Sequence, residues 1–145
     1  MSSCFLSFQA IFHTQFGEEL YAVGNRPSLG AWDCRNALRL FTTKHDYPSW
    51  RACHKITLPY LLQPLSIGYR LEFKICVKEG HTFKRWENFP SDRNRIYMTD
   101  CRYVKLKVIE NSLELVAERK HRTVSSDEMV ALELHPAHKY DSRNV

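Results

Sequence analysis

From Tyr69 to Val77 every second residue is apolar: Tyr69, Leu71, Phe73, Ile75 and Val77, with Arg70, Glu72 and Lys74 between them. A two-residue period predicts a strand with one face in the core and the other away from it. Lys74 falls on the outward face. Gly80 permits a turn. The short return run carries Trp86 and Glu87, and a polar stretch follows that ends Asp92-Arg93-Asn94-Arg95. The pattern thus predicts a hairpin with a lysine and a tryptophan within reach of each other. A tryptophan in a small β domain most often caps the core. Left near solvent and ringed by hydrogen-bonding groups, it is instead a flat apolar platform suited to a neutral polyol ring.

Other segments alternate in the same way. Phe8, Ala10 and Phe12 predict a first strand, and Thr14-Gln15-Phe16-Gly17 a turn with an aromatic at its tip. Leu20–Val23 and Ala37–Leu40 are short strand candidates. Between them Gly30 allows a backbone turn just before Trp32. Trp50, Ala52, His54, Ile56 and Leu58 share one face until Pro59 ends the run. Ile96–Met98 and Tyr103–Ile109 predict two more strands, and Leu113–Val116 pairs back after an Asn111-Ser112 turn. Many short alternating segments with no helical period indicate a β-sandwich or a barrel. At Arg119 the character changes. Residues 1–118 form the expected domain and 119–145 a polar linker or tail, with Ser125–Glu128 as a helix start before Met129–Leu134.

At 145 residues the chain is about one domain long. Lys and Arg number 21 against 16 Asp and Glu, a net +5, with the two signs interspersed. A phosphate-binding face is more concentrated, so nucleic acid is not expected as a partner. The weakest reading keeps it open through Tyr103, Lys105 and Lys107. The five cysteines, Cys4, Cys34, Cys53, Cys76 and Cys101, contain no CxxC pair. Neither a disulfide framework nor a metal site is expected, and the setting is read as reducing and cytoplasmic. The N-terminus is a poor signal peptide, and no apolar run is long enough to span a membrane. There is no GxSxG, HExxH or Gly-rich phosphate loop, and the seven histidines are scattered. No catalysis and no cofactor are expected.

Trp32 and Trp86 each follow a turn or polar loop. An indole stacked on the C–H face of a sugar removes apolar area from water, while Lys, Asn and Glu side chains meet the hydroxyl rim. Several stretches carry a family likeness: Gly17-Glu18-Glu19-Leu20-Tyr21-Ala22-Val23-Gly24-Asn25, Ser28-Leu29-Gly30-Ala31-Trp32, Ala37-Leu38, Tyr47-Pro48-Ser49-Trp50, Tyr69–Lys74, and Trp86-Glu87 with Asn94-Arg95. From about Phe5 to Val108 the chain closely resembles the starch-binding domain, carbohydrate-binding module family 20. The resemblance implies an all-β, antiparallel, immunoglobulin-like β-sandwich that binds α-glucan (starch, glycogen or maltooligosaccharide) without catalysis. It implies a first sugar site at Trp32, Lys74 and Trp86, supported by Glu87 and Asn94. A second site falls on Trp50 and Phe16; Phe16 stands where a tyrosine is usual, and the tyrosine expected near Thr43 is absent. Implied partners are the glucan and a catalytic domain or protein that the module serves. The alternative is a protein-interaction sandwich that has lost sugar binding.

Overall fold

The structure, a computed structural model, describes residues 3–52, 65–87, 93–112 and 114–120. Two sheets enclose one apolar core. In the first, β10 (Leu115–Lys120), β9 (Tyr103–Ile109), β1 (Ser3–Ile11) and β4 (Ser49–Arg51) lie side by side, and β5 (Leu65–Ser66) also pairs with β1. In the second, β3 (Leu38–Arg39), β2 (Glu18–Gly24), β6 (Arg70–Glu79) and β7 (Thr82–Trp86) follow one another. The edge of β6 is shared: β7 pairs with its C-terminal half and β8 (Arg95–Met98) with its N-terminal half.

The alternation expected of the sequence is what fills the core. Cys4, Leu6, Phe8, Ala10 and Phe12 point inward from and just beyond β1, and Leu71, Phe73, Ile75 and Val77 from β6. Phe8 and Phe73 meet edge to face across the two layers, ring centroids 5.0 Å apart. The arrangement is a β-sandwich with mostly antiparallel pairing. The exception is β1 beside β9, which runs parallel from Phe5–Tyr103 to Ile11–Ile109. The expected antiparallel β-sandwich is what forms; in this one pair the partners are nearly a hundred residues apart, and no local turn constrains their direction.

The 118/119 boundary falls inside β10, which continues to Lys120 in register with Tyr103. Positions 121–145, including the helix expected at Met129–Leu134, lie outside the described residues, as do His54, Ile56 and Leu58 of the run after Trp50.

On the far side of the second sheet two short 3-10 turns, Pro27–Trp32 and Cys34–Asn36, lie over β2 and β6. Asn25 ties their start to β6: its amide N–H donates to the Glu72 carbonyl, its side-chain amide donates to the Arg70 carbonyl at 3.0 Å, and its side-chain oxygen accepts from Glu72 N–H at 3.1 Å. Gly24, last residue of β2, has no room for a side chain. A Cβ there would sit 2.4 Å from the Glu72 carbonyl oxygen.

Candidate functional site

The outward face of β6 presents Arg70, Glu72, Lys74, Cys76 and Lys78, the residues alternating with the core set. Lys78 donates from Nζ to the Cys34 carbonyl and lies 4.4 Å above the Tyr21 ring. This anchors the second 3-10 turn onto the sheet. Asp33 caps the same turn, accepting from Arg35 N–H at 3.0 Å and from the Arg35 guanidinium. The hydrogen bonds from Arg35 hold the Asp33 carboxyl below its ordinary range. Between these anchors the backbone turns sharply, with positive φ at Gly30 (79°), Ala31 (48°) and Trp32 (67°). Non-glycine residues are rarely held in that region, and where they are the surroundings dictate it. The outcome is an indole 41% exposed.

Trp86 comes to the same face from the other side of β6. It is directly opposite Cys76 in the β6–β7 register and is 36% exposed. Cys76 itself is buried, and burial pushes its thiol up to about 12, so it is neutral packing rather than a reactive group. Lys74, two residues before Cys76, places its ammonium 5.8 Å from the Trp86 ring centroid. That geometry suits a cation over an aromatic face. The Asn94 side-chain amide donates to Glu72 Oε1 at 3.4 Å, so it lies on this face as well. The register thus brings Lys74, Trp86 and Asn94 to one surface, and the turn that carries the exposed Trp32 runs directly into the 3-10 turn that Lys78 of β6 holds.

Two expected site residues are corrected. Glu87 follows Trp86 and so points the opposite way. Its side chain is 2% exposed. Its carboxylate accepts from Arg95 Nη2 at 2.6 Å, from Arg95 Nε, and from the Ile75 N–H at 2.9 Å. Arg95, fully buried, also donates to the carbonyls of Ser112 and Ile109. Glu87 therefore clamps β6 to β8 and to the β9 turn from inside, and is out of reach of a sugar on the outer face. Trp50 is 5% exposed, belongs to the core, and donates its indole N–H to the Phe12 carbonyl at 3.1 Å. It offers no face for stacking. Phe16 is fully exposed at its turn. Tyr47, which sequence reasoning did not single out as a ligand, is exposed near it. Its hydroxyl accepts from Thr14 N–H at 2.7 Å and donates to the Thr14 carbonyl, bracing the Phe16 turn.

The basic-strand reading for nucleic acid also changes. Tyr103 is buried and stacked on Phe5, and Lys105 pairs with Glu118 at 3.5 Å. Cys101 lies close to Tyr97 and Asp100, and burial raises its thiol above the ordinary range. Among the described residues no cluster of His, Cys, Asp and Glu could hold a metal ion, and no helix is long and apolar enough to cross a membrane.

The described residues thus form a β-sandwich with an amine over a partly exposed indole on the outer face of one sheet. Comparison with known proteins makes that specific: a family model described as starch binding domain matches residues 3–107. The chain belongs to this family, and it is a non-catalytic carbohydrate-binding domain. Glucan 1,4-alpha-maltotetraohydrolase of Roseateles saccharophilus is 32% identical over 78 residues, 52% of this chain and 12% of that protein. The chain thus spans about an eighth of that relative. Among solved structures, a glycoside hydrolase family 15 glucoamylase from Hypocrea jecorina superposes with TM-score 0.59 at 23% identity, over 77% of this chain and 18% of that one. The gamma-CGTase from alkalophilic Bacillus clarkii superposes with TM-score 0.59 at 25% identity, over 76% and 15%.

Proposed function

We propose that the outer face of the second sheet is the glucan site, with glucose units stacking on Trp32 and Trp86 while Lys74 and Asn94 meet their hydroxyls. The observation that supports this most is the Lys74 ammonium 5.8 Å over the face of a partly exposed Trp86, two residues along β6 from the position Trp86 pairs with. Glu87 lies outside this site and acts through position alone, by holding Arg95 and the middle of β6 at Ile75. The ligands we infer are starch and glycogen, both chains of α-linked glucose. The module would carry an attached or associated catalytic activity to the polymer; the chain spans only 12% of the glucan 1,4-alpha-maltotetraohydrolase named above. Four described cysteines, Cys4, Cys34, Cys76 and Cys101, are free thiols, which fits a cytoplasmic, reducing setting.

One indole covering roughly 80 Å² of sugar contributes about 2 kcal/mol, or roughly a 30-fold change in Kd. Tryptophan fluorescence titrated with a cyclic glucan, and co-sedimentation with insoluble starch and glycogen, test the site. Trp32→Ala or Trp86→Ala should each weaken binding by about that factor. Wild-type affinity in the double variant would place the sugar elsewhere.

A further inference from the structure

Phe83 and Trp86 are three residues apart in β7, a spacing that sends side chains to opposite faces in a regular strand. This strand is irregular. Trp86 is opposite Cys76 and Arg85 opposite Val77, yet Phe83 is opposite Lys78, with the register shifting between Val77 and Lys78. Lys84 is therefore the extra residue of a β-bulge, which resets the alternation. Cys76 and Lys78 share the outward face of β6, so their partners Trp86 and Phe83 share it too. The two rings touch, centroids 5.3 Å apart and planes at 63°, and Phe83 is 42% exposed.

We propose that Phe83 is an additional sugar-stacking surface that takes the glucose unit next along the chain from the one on Trp86. The idea rests on the Trp86 site described above. A phenyl ring has no polar handle, so its contribution is apolar contact with the C–H face of a sugar. The centroid separation is about the length of one glucose unit. The 63° between planes suits a chain that turns from unit to unit, as α-1,4-glucan does, rather than a flat β-1,4-linked ribbon. The bulge makes Phe83 a length sensor: a ligand too short to reach past Trp86 gains nothing from it.

Isothermal titration of wild type, Phe83→Ala, Phe83→Tyr and Trp86→Ala with methyl α-glucoside, a single unit, and with maltoheptaose tests this. Phe83→Ala should leave the methyl α-glucoside Kd unchanged and raise the maltoheptaose Kd about tenfold. Phe83→Tyr should retain wild-type discrimination. Equal weakening for both ligands in Phe83→Ala would reduce Phe83 to a brace for Trp86 and overturn the proposal, as would no change for either. Trp86→Ala should lose affinity for both lengths. If it binds both as wild type does, the Trp86 site itself fails and Phe83 falls with it, an outcome distinct from those of the Phe83 variants. Unchanged melting of the folded variants confirms that the affinities compare intact sandwiches.

Discussion

Trp32 is held at φ 67° directly after Ala31 at φ 48°. Each left-handed non-glycine residue costs roughly 1 kcal/mol or more. Burial offsets this only in part, because the residue is still 41% exposed. The strain is maintained by Lys78 at the Cys34 carbonyl and by the Asp33 cap. Trp32→Gly should therefore leave Tm unchanged or raise it by a few degrees, while a cyclic-glucan titration shows the loss of one stacking face. A fall in Tm larger than that of Trp32→Ala would refute the strain account. The neighbours Trp86 and Glu87 separate binding from stability in a different way. Trp86→Ala should lower affinity and leave Tm nearly unchanged. Glu87→Ala strands the buried Arg95 guanidinium without its counter-ion, a loss of about 3–5 kcal/mol that calorimetry should show as a marked drop in Tm. Per folded molecule, its glucan affinity should change less than that of Trp86→Ala.

At the scale of elements, strand β6 was the most legible part of the chain. It is central in its sheet, so one face is buried along its length and the alternation is clean. β7 gave no such signal because all five of its residues are exposed and a bulge breaks its phase. The turns over β2 and β6 were legible only as a glycine before a tryptophan, since their placement depends on Lys78 reaching across from another element. Gly30 is the hinge of that placement: at φ 79°, an added Cβ would stand 2.8 Å from the Asn36 carbonyl carbon. Gly30→Ala should force the two turns apart and displace Trp32. Glucan affinity should then fall by at least as much as in Trp32→Ala, with about 1 kcal/mol or more lost in a urea titration. Glucan affinity equal to wild type would show that Trp32 does not depend on this turn.

Over the whole molecule, carboxylate–arginine pairs tie distant elements together. Glu18 at the start of β2 accepts from Arg85 of β7, and Asp100 accepts from Arg119 of β10 and from Tyr97. In each case the arginine hydrogen bond is the main cause that lowers the carboxyl, as Arg35 does for Asp33. A carboxyl lowered in the folded state adds stability above its unfolded value and loses it as pH falls through the folded one. Unfolded carboxyls titrate near pH 4. The urea midpoint should therefore be flat from pH 7 to about 5 and decline below about pH 4, where these pairs protonate. A midpoint that rises on acidification would exclude this linkage. All ten strands of the described residues lie at or before Lys120, so a chain ending at Lys120 should match the 145-residue chain in Tm and in starch co-sedimentation.

What the sequence determined by itself was the two-residue period, and with it an all-β architecture, the inward set of β1 and β6, and the outward direction of Lys74. These are local properties, because the pleat fixes side-chain direction relative to immediate neighbours. Only the tertiary structure decided the rest. It sank Trp50 in the core, ran β1 parallel to β9, and returned Phe83 to the side of Trp86. Each of these depends on a partner far away in the chain or on a shift in register, and neither leaves a mark in the spacing of residues along one strand.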